Sequence, residues 1–190
     1  MSPQVILLIS ALVIGVVGII WKIAPGKSKL IILPGQSRFP IVSGYNLNRR
    51  EFQFPRDFEG KSNFVIIAFE QTQQTAVNTW IPFVQQVEAA FPGFVYYELP
   101  TIYELPAISR TFINEGMRAG IPDQLARART VTLYLDKNSF KNALEIGTEN
   151  EIVVMLVDQE GLILWRTSGE FTTQKSSELL ELLGDIQPGR

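Results

Sequence analysis

The sequence predicts an α/β domain, a mixed sheet with helices on both faces, preceded by one N-terminal transmembrane helix. Three stretches carry that reading. Asn63–Glu70 (N-F-V-I-I-A-F-E) is an unbroken apolar run of strand length, rich in β-branched and aromatic residues. A strand without polar alternation belongs in the middle of a sheet that is covered on both sides. After the polar break Q-T-Q-Q, Val77, Trp80, Ile81, Val84, Val87 and Phe91 recur at three- and four-residue steps, which marks one face of a helix. Val5–Trp21 is apolar apart from Ser10 and two glycines.

The 17 positions of that N-terminal run would span about 25 Å as a helix, near the lower limit for crossing a bilayer. Met1–Gln4 lacks the basic residues of a signal peptide, and Ile23–Gly26 lacks a small-x-small cleavage site, so the run reads as an uncleaved anchor. Trp21 suits the membrane interface. Residues 4–23 are therefore expected in contact with the lipid bilayer, with 1–23 as the anchor, 24–48 as a juxtamembrane linker and 49–190 as the folded domain. No Lys or Arg precedes the span, whereas Lys22, Lys27 and Lys29 follow it. The positive-inside rule then predicts a single-pass protein of an inner or plasma membrane, its domain facing the cytoplasm or a matrix-like compartment. Pro25-Gly26 and Pro34-Gly35 punctuate the linker; Leu30–Leu33 between them either lies at the interface or pairs as an edge strand.

Within the domain, Phe52 and Phe54 alternate with polar neighbours and Pro55 follows, as in an edge strand. Thr75 is the expected N-cap of the first helix, and Pro82 lies inside it, where it removes a hydrogen bond and kinks the axis. F-V-Y-Y-E-L from Phe94 reads as a second buried strand, and Leu105–Glu115 as a helix closed by Gly116. The stretch Met117–Arg129 reads as a loop. R-T-V-T-L-Y-L-D (129–136) is a strand by alternation and branching, with Asp136 as the N-cap of a short helix. E-I-V-V-M-L-V-D (151–158) and L-I-L-W-R-T (162–167) form a hairpin through Asp158-Gln-Glu-Gly161, with positive φ expected at Gly161. Thr172 or Thr173 caps a last helix bearing Leu179, Leu180 and Leu183.

Composition removes whole classes of chemistry. The chain has 190 residues, no cysteine and no histidine. That excludes disulfides, thiolate catalysis and thiolate-bound zinc, and it removes the usual general base near neutral pH. A formal charge of −2 gives no reason to expect a nucleic-acid partner. Gly-Lys-Ser occurs at 26–28 and at 60–62, but the glycine that a phosphate loop needs five residues earlier is replaced by Trp21 and Pro55. Glu98 and Glu104 have no partner base or motif beside them. No catalytic, cofactor-binding or metal-binding residues are assigned, and an enzyme is not expected.

A buried strand, a short loop and a helix interrupted by proline resemble the first half of a thioredoxin fold. Enzymes of that fold carry reactive cysteines at set places before this proline; counted back from Pro82, those places hold Gln74 and Val77. Redox members also place a cis-proline just before the first hairpin strand, where Asn150 and Glu151 stand here. Two motifs resemble a narrower branch, the mitochondrial ATP synthase assembly factor of the ATP-ten type and its bacterial relatives. Arg129, Thr130, Thr132, Leu133, Tyr134 and Asp136 fit the first motif; Asp158, Gly161, Trp165, Ser168 and Gly169 fit the second. The similarity runs from Phe52 to Leu183, although relatives carry arginines around the tryptophan where this chain has Leu162 and Leu164.

The resemblance implies a membrane-associated, non-catalytic protein that helps a polytopic membrane subunit join ATP synthase. Trp80 and Trp165 also suit a core, and Asp136 a cap. Arg118, Arg127 and Arg129 are the residues folding explains least, because no Lys or Arg occurs between Asn63 and Ser109. With Asp136 and Trp165, these arginines are the expected partner-binding residues. The alternatives are a thioredoxin- or peroxiredoxin-like redox relative, and a structural interaction domain with an unrelated partner.

Overall fold

The computed structural model describes residues 37–186. The expected anchor and the Leu30–Leu33 run lie outside them; among the described residues no helix is long and apolar enough to cross a membrane. Seven strands form one sheet: β1 (Val42–Asn46), β2 (Glu51–Phe54), β3 (Ser62–Ala68), β4 (Phe94–Tyr103), β5 (Val131–Leu135), β6 (Val153–Asp158) and β7 (Ile163–Ser168). Their spatial order is β2-β1-β5-β4-β3-β6-β7. Strands β3, β4 and β5 run parallel, and the pairs β1–β2, β1–β5, β3–β6 and β6–β7 are antiparallel.

The apolar run of β3 does what its composition requires. Phe64 and Ile66 point into one core, and Val65 and Ile67 into the other, because successive strand side chains alternate between faces. Helix α1 (Gln74–Ala90) lays Val77, Trp80, Val84 and Val87 on the first face. The last helix, α5 (Thr173–Ile186), adds Leu179 and Leu183 there. The other face is closed by the short helix α4 (Lys137–Ala143) through Phe140 and by an aromatic group of Phe39, Phe52, Phe54, Phe58 and Tyr97. Helices therefore stand on both faces, as expected.

Several boundaries differ from the sequence reading. The sheet starts earlier: Val42–Asn46, within the stretch 24–48 read as linker, is β1 and pairs with both β2 and β5. Gly44 permits that pairing, since a Cβ there would lie 2.5 Å from the Thr132 carbonyl oxygen. Thr75 is not the N-cap of α1. A 3-10 turn, Gln71–Gln73, precedes the helix, and Thr75 lies in its first turn. The second helix, α2, spans Ala107–Gly120, so it starts later than Leu105 and runs through Gly116. Half of the expected loop is a further helix, α3 (Gln124–Arg129), because Asp123 Oδ1 accepts from the Ala126 amide at 2.6 Å and caps it. Elsewhere local chemistry was decisive: Asp136 Oδ1 caps α4 through the amides of Asn138 and Ser139. Gly161 has φ +87 and a Cβ there would meet Pro55. Thr172 Oγ1 accepts from the Lys175 amide at 3.3 Å at the start of α5.

Candidate functional site

In a parallel α/β sheet, chemistry collects beyond the C-terminal ends of the strands. Here β3, β4 and β5 end at Ala68, Tyr103 and Leu135; Phe69, Gln73, Tyr103 and Lys137 stand at these ends and meet Glu149 from the loop between α4 and β6. Gln73 stitches this corner. Its buried side chain accepts from the Phe69 amide at 2.8 Å and donates to the Glu149 carbonyl at 2.5 Å. The loop before α1 is thereby tied to the loop before β6, the two segments that flank the redox centre in thioredoxin-like enzymes.

The places of the two cysteines hold groups with no redox chemistry. Gln74 is exposed at the first position of α1, its amide donating to Asn78 Oδ1 at 3.0 Å. Val77 is 3% exposed and packs in the core with Trp80. Beside them lies an ion cluster the sequence did not disclose. Lys137, 4% exposed, places Nζ 2.5 Å from Glu149 Oε2, and Lys141 Nζ is 2.7 Å from Glu149 Oε1. The Lys137 ammonium also donates to the Phe69 carbonyl at 3.3 Å and lies 4.7 Å from the Tyr103 ring centroid. Burial works to raise the Glu149 pKa, but the two lysines outweigh it and hold this carboxyl below its ordinary value. A lysine directly after a capping aspartate, with Phe140 three residues on, was the only sequence signal for it.

On the other face of the sheet, Glu98 on β4 is also buried. It lies beside Ile66 of β3 in register and bridges Thr130, and among the described residues it has no ion-pair partner. Burial pushes its carboxyl up to about 7, against an opposing interaction with the Gln74 side chain. This is the carboxylate that sequence reading set aside for lack of a partner; the lack of a partner is what makes it unusual.

Of the expected partner-binding residues, Arg118 and Arg127 meet at Leu47, whose amide donates to the Arg127 carbonyl at 3.1 Å. Arg129 is spent inside the domain, Nη1 on Glu59 at 3.1 Å and Nη2 on Glu88 at 2.7 Å, with its guanidinium 5.9 Å from the Tyr97 ring. Arg118 Nε donates to the Leu47 carbonyl at 2.7 Å and its guanidinium pairs with Glu115. Arg127 Nε is buried with no hydrogen-bond partner. Asp136 caps α4, and the Ser139 amide and hydroxyl hold its carboxyl below the ordinary range. Trp165 on β7 is half-buried and meets Trp80 edge to face at 6.5 Å.

No protein-family model and no curated protein matches the sequence. Solved structures match it in fold. A protein of Aquifex aeolicus VF5 assigned to electron transfer has a TM-score of 0.54 at 10% identity, covering 81% of this chain and 99% of that one. The exposed lipoprotein thioredoxin of Streptococcus pneumoniae strain TIGR4 gives 0.51 at 10% identity, over 77% and 99%. BsSco, of the Sco family of cytochrome c oxidase assembly proteins, gives 0.51 at 11% identity, over 82% and 98%. Likeness at such identities is likeness of fold. The chain has a thioredoxin-like fold, an α/β body with a mixed sheet.

Proposed function

We propose that this chain is a membrane-anchored, non-catalytic thioredoxin-like protein that binds and helps assemble another protein. One observation carries the reading: the corner that serves thiol chemistry elsewhere on this fold is occupied by Gln74 and Val77 and bridged by Gln73, Lys137 and Glu149. Thiol–disulfide exchange requires a thiolate as nucleophile, and the chain contains no cysteine. BsSco belongs to a family of assembly proteins, so the fold is compatible with such a role, while fold by itself decides no function. The motifs at 129–136 and 157–169 make a hydrophobic membrane subunit of ATP synthase the first partner to test. Arg127 is the arginine left for that contact, since Arg118 and Arg129 bond within the chain.

Mild cross-linking in native membranes, followed by identification of the captured protein, tests the partner. Recovery of an ATP synthase membrane subunit supports the reading; recovery of unrelated membrane proteins alone replaces it with an interaction domain of another system. The full-length protein is expected to give neither disulfide reduction nor peroxide turnover above a buffer blank. Activity that survives repurification would restore the redox alternative.

A further inference from the structure

The side of α2 that faces the domain is mixed, with half-buried Ile113 and Met117 standing among Arg110, Asn114 and Arg118. An amphipathic helix on a sheet ordinarily turns its apolar stripe inward. In α2 no residue is buried. Its hydrogen bonds hold it in place: the Tyr134 hydroxyl donates to Asn114 Oδ1 at 2.9 Å, with the Arg110 carbonyl 3.3 Å from the same oxygen, and Arg118 Nε donates to the Leu47 carbonyl. The Arg110 guanidinium lies 5.4 Å from the Tyr134 ring centroid. One turn apart on the outward side, Ile108 is 87% and Phe112 80% exposed. Large apolar side chains grouped this openly mark a contact surface rather than an ordinary solvated face.

The chain's own length indicates what that contact is. The apolar run ends at Trp21 and the described domain starts at Ser37, leaving 15 residues between them. Whatever their conformation, they span at most about 55 Å. A domain of this size has a radius of gyration of roughly 15 Å. If Val5–Trp21 crosses a bilayer, no face of the domain lies beyond reach of that bilayer.

We propose that the outer side of α2, around Ile108 and Phe112, inserts into the boundary between headgroups and acyl chains of the membrane that holds the N-terminal segment. The inference rests on the anchored reading of that segment. Insertion of this kind buries apolar side chains at shallow depth, so neutral lipid suffices and added salt does not reverse it.

The absence of native cysteine makes the test direct. A single cysteine at exposed Thr111 (T111C) leaves Ile108 and Phe112 in place; a control cysteine at Asn142 (N142C) lies on α4, across the sheet. Each full-length variant carries an environment-sensitive fluorophore and is reconstituted into phosphatidylcholine vesicles with or without nitroxide-labelled lipid. The label at 111 is expected to emit as in an apolar medium and to be quenched roughly two-fold by nitroxide lipid, the label at 142 to remain water-like. Adding I108S and F112S should return the label at 111 to water-like emission while the protein still floats with the vesicles. A water-exposed label at 111 on floating vesicles overturns the inference and leaves the anchor intact. Shielding from water without nitroxide quenching, which would mean a second protein copy on this face, overturns it too. Failure to float with vesicles removes the anchor and this inference together.

Discussion

Lys137 and Glu98 are buried charged groups near one corner of the fold, on opposite faces of the sheet. Lys137 is buried among partners: Glu149 at 2.5 Å, the Phe69 carbonyl, and the face of Tyr103. Glu98 has no ion-pair partner among the described residues, and its carboxyl is raised to about 7 by burial. A protein interior holds a charge when geometry supplies its counter-charge and hydrogen bonds; otherwise burial favours the neutral form, which for a carboxylate means taking up a proton. The first group is a tie between loops, held by its ion pair and hydrogen bond. The second is a titratable one.

The sharpest way to break the comparison is to remove the counter-charge. Glu149→Gln leaves the Lys137 ammonium buried without its anion, and should cost about 3 kcal/mol of stability, read from the urea midpoint at pH 7. Lys137→Met should cost far less, below about 1 kcal/mol, because the charge leaves with the side chain and Glu149 keeps Lys141. Equal losses in the two variants would mean that the cluster acts by packing alone.

For Glu98 the sign is reversed. Its folded pKa, about 7, lies above the ordinary 4.5, so the folded state binds the proton more tightly than the unfolded chain does. The stabilisation tied to that proton is complete below pH 4.5 and disappears as pH rises through 7. Glu98→Gln should therefore raise stability at pH 8 by roughly 1–3 kcal/mol and little at pH 4. Urea midpoints measured across that range check it; a gain of the same size at both ends would remove titration of Glu98 as the cause.

The smallest expected effect sharpens the contrast. Gln74 works to lower the Glu98 pKa, so Gln74→Ala should move the Glu98 titration further upward while changing global stability by less than about 0.5 kcal/mol, as at other exposed positions. The carboxyl carbon shift of Glu98 followed by NMR reads this; a downward movement would show that Gln74 is not its partner.

What the chain order alone made legible follows from local physics. Unbroken apolar runs identified β3 and β6, alternation and branching identified β5, the hairpin turn placed β7, a three-to-four spacing identified α1, and short-range hydrogen bonds made Asp136 a cap and Gly161 a turn. Gln74 and Val77 could be read as replacing thiols because their distance from Pro82 is a distance along the sequence. Boundaries slipped where two local signals competed: Gly116 can end a helix, yet α2 runs through it, and Asp123 converted half of an expected loop into α3.

The rest is set by pairs far apart in the chain. Arg129 looked free because Glu88 is 41 residues away, and no neighbour of Lys137 along the chain pointed to the Phe69 carbonyl and Glu149 that the fold puts around it. Glu98 was legible as a carboxylate but not as a buried one without a counter-ion. An amphipathic pattern gives the period of α2 but not which side faces the sheet, and Tyr134 decided that by offering its hydroxyl to Asn114. The sequence by itself determined the elements, the turns and the absence of thiol chemistry, because those depend on neighbours a few residues apart. Only the tertiary structure decided which charges are buried, which are paired and which apolar side chains remain outside, because burial and Coulomb energy depend on distance in space.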